Sequence, residues 1–363
     1  MKNREAYFDQ LRALAIFSIV CCHVCGMGYI TKNPDLLLHF KTFYATMLFN
    51  SGRFIGVPLF IMLSGALLIN KEYSLTTFVK KRFSRVIVPY IFWVIINILF
   101  SSMVQHKDLT PEFIFNAFFG FEGALWFIKM LIIVYIAIFI INKLLDYAKS
   151  KSYEKECINI LVIASLICYV IYNLIHIPFE MISFSCLFIP YAIFGYYLTH
   201  TEFTNIRISD FGMTSNRIVI SAFILSVVCY LYFVMTVCLK TMAMNKFFSA
   251  SYFTSVVIIL NFSIVLLFRY LPKSGGLGGK INGILTSNHI AKAILSISLC
   301  SYGIYFVHIL ILKYLEITYL YSLNYFCYPS WIPLLVAVVF SASWIVIWIM
   351  SKIPYFNKVS GAG

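Results

Sequence analysis

The sequence predicts an all-α, polytopic membrane protein of about ten transmembrane helices, with both termini on the cytoplasmic side. Three observations predict it. Of the 363 residues, 61% are hydrophobic and only 12% are charged, about half the charged share of a soluble domain, and the mean hydropathy is +0.88. Apolar runs of about 20 residues recur along the chain between short charged connections, the length a helix needs to cross a bilayer. The basic residues are also distributed unevenly. With the N-terminus inside, the cytoplasmic connections hold clusters such as Lys80, Lys81, Arg82 and Arg85. The opposite loops hold only Lys32, Lys41, Lys107, Lys240, Lys246 and Lys313. This is the positive-inside bias, so the net charge of +14 reflects topology, and no nucleic-acid partner is expected.

The spans follow in order. The first, 11–30, has no small-residue cleavage site and is followed by further spans, so it reads as a retained helix and not a signal peptide. The second, 51–70, contains GVPLFIMLSGALL, with Gly56, Pro58, Ser64 and Gly65. Small residues and a proline let helices approach closely or bend around a cavity, although packing alone also accounts for them. The third, 86–104, is entered through KKRFSRVIVPY, where Arg82 and Arg85 stand one turn apart. They read either as a topogenic cluster or as a phosphate clamp, because guanidinium forks match phosphate oxygens. The fourth, 124–142, begins in FEGALWFIKM, with Glu122 and Trp126 near the outer interface, where a tryptophan also fits an aromatic belt. The fifth to eighth, 157–175, 182–199, 217–239 and 251–268, supply apolar length. The connection at 269–292 is glycine-rich and reads as a mobile cytoplasmic loop. Its GGLGG lacks the lysine spacing of a P-loop and follows no strand, so it predicts no nucleotide site. The ninth span, 293–313, carries SYGIYFVH, with Ser301, Tyr305 and His308 at i, i+4 and i+7, a polar stripe on one face. The tenth, 333–351, completes a single membrane-embedded domain, 1–363.

The first span holds the chemistry that lipid does not tolerate. In LRALAIFSIVCCHVC, Arg12 and His23 are eleven residues apart. That is about three turns plus 20°, so they share a face with His23 about 16 Å deeper. Arg12 can snorkel to the cytoplasmic edge, with Asp9 one turn earlier to hold it. His23 is then near the middle of the bilayer, where an ionisable group faces a protein interior or a water-filled cavity. The plain alternative is a neutral histidine bonded to a neighbouring helix. Cys21, Cys22 and Cys25 surround it, but ligands on one continuous helix do not converge on a point. No second ligand pair is present, so no metal site is predicted. Most of the ten cysteines lie in spans, where they act as small apolar residues.

Five segments appear in a fixed order: Arg12-x10-His23, VPLFxxxSGxLL in the second span, Arg82-x-x-Arg85, LWFI at 125–128, and SYGIYxxH ending at His308. Together they resemble the acyltransferase 3 family, and among its members the stand-alone bacterial O-acetyltransferases of surface polysaccharides. No extracytoplasmic esterase-like domain of the kind found in some relatives is expected. The resemblance implies a ten-helix core in the bacterial cytoplasmic (inner) membrane. It implies transfer of an acyl group, usually acetyl, from acetyl-CoA or another acyl-CoA to a hydroxyl of a glycan or lipid-linked sugar, with no tightly bound cofactor. On that reading Arg82, Arg85 and Arg12 hold the CoA phosphates. His23 acts as general base or acyl carrier, Asp9 orients Arg12, and Glu122 partners an imidazole or sugar hydroxyl. Trp126, Tyr302, Tyr305 and His308 face the acceptor. The competing class is a transporter or flippase of a polyprenyl-linked glycan. Such proteins show inverted repeats and paired broken helices, neither of which the sequence displays. Membrane lipids surround the spans. The acceptor, the acyl length and the oligomeric state are not written in the sequence.

Overall fold

A computed structural model describes residues 5–30, 39–120, 125–175, 181–205, 207–208, 211–212, 214–244, 251–320 and 328–363. The helix α1 (Ala6–His23) runs directly into a π-helical segment, Val24–Ile30. The helices α2 (Phe40–Asn50) and α3 (Arg53–Leu68) are joined by a turn at Ser51 and Gly52. A short α4 (Leu75–Phe78) and a π-helical turn, Val79–Phe83, lead into α5 (Ser84–Met103). Then come α6 (Pro111–Phe119), α7 (Trp126–Ser150), α8 (Glu154–Ile175), α9 (Met181–Cys186) and α10 (Ile189–His200). A minimal antiparallel ribbon pairs Arg207–Ile208 with Phe211–Gly212. The chain ends with α11 (Ser215–Met244), α12 (Ser255–Tyr270), α13 (Gly276–Leu285), α14 (Asn288–Leu315), α15 (Trp331–Lys352) and α16 (Phe356–Val359).

Among the described residues, nine helices are long and apolar enough to cross a membrane, and the fold is all-α and polytopic. The predicted span at 182–199 is instead two pieces. Backbone bonds Phe188 N–H to Ser185 O and Tyr191 N–H to Phe188 O close a tight turn between α9 and α10. Pro190 in the first turn of α10 has no N–H to continue a helix arriving from α9. The twelve residues of α10 cover only about 18 Å, short of a roughly 30 Å hydrocarbon core. The second span extends back to Phe40, through the turn at Ser51–Gly52. The connection at 269–292, expected to be a mobile loop, contains α13 and the start of α14.

The chain divides into two compact units. One comprises Met1–Ala15, Phe54–Tyr73 and Ile133–Leu295; the other comprises Ile16–Arg53, Ser74–Ile132 and Ser296–Gly363. In the first unit, α3 and α10 meet backbone to backbone. A Cβ on Gly65 would lie 1.9 Å from the Ala192 carbonyl oxygen, and one on Gly195 would lie 2.0 Å from that of Met62. Side-chain amides fasten the surrounding helices. Asn142 donates from Nδ2 to Leu68 O at 2.8 Å and accepts from Asn70 N–H at 2.7 Å. Asn70 Nδ2 donates to Glu154 Oε1 and to Tyr196 OH, each at 2.8 Å. Buried Asn261 donates to Phe54 O at 2.8 Å. Arg269, counted in the sequence as a loop charge, is buried and caps the end of α10. It donates to Leu198 O at 2.6 Å, to Thr201 O, and to Glu202 Oε1 at 3.0 Å.

In the second unit, α14 is the hub. Gly303 admits the chain end: a Cβ there would stand 2.5 Å from Ser360 O and 2.6 Å from the Ile347 side chain. On α5, Trp93 lies parallel to Phe306, with centroids 6.2 Å apart and a 9° interplanar angle. Thr110 caps α6 by accepting from Phe113 N–H at 3.1 Å, with Pro111 opening the helix. The end of α6 is held by Tyr90 OH donating to Phe118 O and by Lys129 Nζ donating to Gly120 O. At the turn between α2 and α3, a Cβ on Gly52 would come within 2.7 Å of Ser18 O on α1. That contact brings the α2–α3 junction against the end of α1.

Candidate active site

His23 is the last residue of regular α-helix before the chain winds into the π-helical segment. Such a segment re-aims the side chains at its boundary and is frequent at functional sites. Opposite it, α14 presents His308, which is fully buried, whereas His23 is half-buried. The two imidazoles are joined: His308 Nε2 and His23 Nδ1 are 2.9 Å apart, with ring centroids 4.9 Å apart at 46°. The other nitrogen of His308, Nδ1, lies 2.9 Å from Ile304 O, one turn earlier on α14.

Aromatic rings wall the pair. Tyr305 lies 6.0 Å from the His308 ring and Phe127 lies 5.4 Å from Tyr305. Phe306 carries the wall on to Trp93. Polar groups arrive from the α2–α3 junction. Asn50 Oδ1 lies 3.6 Å from where a Cβ on Gly26 would stand, and Arg53 is near enough to act electrostatically on both His23 and Cys22.

The expected site residues fall into groups. His23, Tyr305 and His308 come together around the imidazole pair, and Trp126 opens α7 next to Phe127, the two rings 6.4 Å apart and perpendicular. Tyr302 donates its hydroxyl to Val86 O at 3.2 Å, so this hydroxyl ties α14 to α5. Arg12 and Asp9 pair at 3.6 Å on the first turns of α1, in the other unit. Arg82 lies half-buried in the π-helical turn before α5, and Arg85 is exposed in the first turn of α5. Glu122 lies outside the described residues. Cys21, Cys22 and Cys25 are buried free thiols. Among the described residues no group of three or more His, Cys, Asp and Glu side chains is placed to hold a metal ion.

Two side chains at this site carried no signal in the sequence. Arg53 lies at the start of the second span, and nothing in its spacing points to a histidine thirty residues earlier. Trp93 was one aromatic among many. Its indole N–H is buried and meets no acceptor among the described residues. A half-buried imidazole, held by a second imidazole within a wall of aromatic rings, is equipped to take up a proton or to act as a nucleophile.

A family model described as an acyltransferase domain matches residues 5–350, nearly the whole chain. Searches of curated proteins and of solved structures found no match. The matched region runs from the start of α1 into the last turn of α15, and so contains the histidine pair and every helix that walls it: the chain belongs to the acyltransferase 3 family and is an integral membrane acyltransferase.

Proposed function

We propose that the protein is an O-acyltransferase of the bacterial cytoplasmic membrane. It moves an acyl group, acetyl in the first instance, from cytoplasmic acyl-CoA to a hydroxyl of a cell-surface glycan or lipid-linked sugar that arrives from the outer side. The observation that carries this reading is the His23–His308 contact of 2.9 Å. Within an acyltransferase family, a bonded imidazole inside a membrane span is the group suited to activating a hydroxyl. Basic residues favour the cytoplasmic side for both termini and for Arg82 and Arg85. CoA combines a polyanionic head with a long, thin, uncharged arm. Guanidinium groups at the entrance of α5 suit the phosphates, and the arm can then carry the thioester inward to His23. Trp126 and Tyr305 suit the acceptor side, with Glu122 nearby in sequence.

In the direct route, His23 takes the proton of the acceptor hydroxyl while that oxygen attacks the thioester carbonyl. The carbon–sulfur bond breaks as the carbon–oxygen ester bond forms, and the departing CoA thiolate recovers the proton from the imidazolium. In the stepwise route, His23 attacks the thioester first and passes the acyl group on, with the same balance of atoms. The test is acyl transfer by the purified protein in detergent, with labelled acetyl-CoA and a membrane glycolipid extract. Replacement His23→Ala should lower turnover by about 10²–10⁴-fold, the usual contribution of a general base, with unchanged melting. Turnover within a few-fold of the parent would overturn the assignment. Absence of donor hydrolysis and transfer in the parent, together with glycolipid flux in vesicles, would favour the transporter reading.

A further inference from the structure

We propose that His308 is a positioning residue. It holds His23 as the Nδ1–H tautomer and thereby leaves Nε2 of His23 as the reacting atom. The proposal rests on the catalytic reading of His23 and follows from the donor and acceptor balance along one line of contacts. A carbonyl oxygen only accepts, so the 2.9 Å contact of His308 Nδ1 with Ile304 O places a hydrogen on that Nδ1. A neutral imidazole has one N–H, so Nε2 of His308 is an acceptor. Its 2.9 Å contact with His23 Nδ1 then requires the hydrogen to be on His23. A neutral His23 with its hydrogen on Nδ1 carries its lone pair on Nε2.

The other arrangements fail. If His308 carried its hydrogen on Nε2, the lone pair of its Nδ1 would face the lone pairs of Ile304 O at 2.9 Å. His308 is 0% exposed, so no solvent relieves that clash. If His308 carried both hydrogens, it would be a buried cation. Among the described residues neither ring has a carboxylate partner, and the charge of Arg53 reaches His23.

The assignment is chemically consequential. Histidine in water favours the Nε2–H tautomer, and which ring nitrogen is bare is set by the bond that the other makes. Without His308, part of the His23 population would present an N–H where the reaction needs a lone pair. As His23 takes the proton on Nε2, or the acyl group at the same atom, the ring becomes cationic. Its Nδ1–H bond to His308 then becomes charge-assisted and shorter. The contact is therefore stronger in the transition state than in the ground state, which is the condition for raising kcat.

The experiment uses the full chain in detergent, labelled with 15N-histidine, and compares the parent with His308→Leu, His308→Gln and His23→Ala. The nitrogen resonances of the parent should show His23 protonated at Nδ1 and bare at Nε2. In His308→Leu they should shift toward the Nε2–H form. Turnover of His308→Leu should fall by roughly 10²-fold or more, with the KM for acetyl-CoA within about threefold. The Gln variant places an amide oxygen within reach of His23 Nδ1 and should recover a large part of kcat. A parent spectrum with Nε2–H on His23 overturns the proposal, and this reading holds even if a variant fails to fold. Parental kcat in His308→Leu overturns it as well. If His23→Ala is inactive while His308→Leu is active, only the positioning role falls. If His23→Ala retains transfer, the catalytic reading falls with it.

Discussion

Replacing Gly65 with alanine should be among the most damaging single-methyl changes in the chain, and the structure sets the size. The added carbon would stand 1.9 Å from the carbonyl oxygen of Ala192, 2.4 Å from its carbonyl carbon and 2.6 Å from its Cα. Comfortable contact needs about 3.5 Å, so α3 and α10 would have to part by roughly 1.5 Å. The obstacle is backbone on both sides and cannot rotate away. Overpacking costs about 1–3 kcal/mol, and we expect the top of that range, about 3 kcal/mol. Separation would also stretch the 2.8 Å bond from Asn70 to Tyr196 that links the end of α3 to α10. Gly195→Ala should cost as much, because its Cβ would meet Met62 O at 2.0 Å in the same crossing. The pair should not add: once the helices part for one methyl group, the second finds room. The double variant should therefore cost about 2 kcal/mol less than the sum, a coupling of the size seen for contacting sites. Gly283→Ala on α13 is the control. Nothing lies within 4 Å of its added carbon, and helix propensity alone predicts a gain of about 0.5–1 kcal/mol. The assay is reversible unfolding of the purified protein in mixed micelles, followed by tryptophan fluorescence. A cost under about 0.5 kcal/mol for Gly65→Ala, or strict additivity in the double variant, would refute the reasoning.

Four further outcomes are expected. Alanine at Arg82 or Arg85 should weaken acetyl-CoA binding by roughly ten- to a hundred-fold, from the 1.5–3 kcal/mol of a charge-assisted bond. Lysine should restore it only in part, and equal, parental affinities for substitutions at Lys80, Lys81, Arg82 and Arg85 would move the donor phosphates elsewhere. Simultaneous Cys21→Ser, Cys22→Ala and Cys25→Ala should leave most turnover in the same assay, since these thiols serve packing; loss of activity with a stoichiometric metal in the parent protein would contradict that. Hydrogen bonding from Lys273, aided by the Arg269 charge, holds the Glu202 carboxyl below its usual 4.5. Its contribution to stability is full above pH 4.5 and is lost as the pH falls through the lower folded value. Glu202→Gln should flatten acid melting curves in that range by under about 1 kcal/mol, because the carboxylate is half-exposed. Arg269→Ala should cost about 3 kcal/mol at neutral pH, since it strips the carbonyls of Leu198 and Thr201 of their donor.

Sequence and structure agree wherever one helix supplies the whole signal. The distance from Arg12 to His23 needs only the pitch of α1, and the Asp9–Arg12 pair at 3.6 Å is an i,i+3 neighbour. The stripe of Ser301, Tyr305 and His308 lies buried on α14. The readings diverge where a decision belongs to several helices. Hydropathy saw an unbroken span at 182–199, because Pro190 does not change the apolar character of the window. Arg269 was read as a loop charge and is a buried cap, since its acceptors Leu198, Thr201 and Glu202 lie about seventy residues earlier.

From its own letters the sequence determined that the chain is a helical membrane protein, which family it resembles, and that His23 is out of place in lipid. Those conclusions rest on local quantities: the length of an apolar run, the 3.6-residue period, and the cost of an ionisable group in hydrocarbon. Tertiary structure alone decided that His308 is the partner of His23, that Arg53 and Trp93 join the surroundings of the pair, and that Gly65 and Gly195 let α3 and α10 meet backbone to backbone. The contact from His23 to His308 spans 285 residues. No spacing rule connects positions so far apart, because their meeting depends on how every helix between them packs.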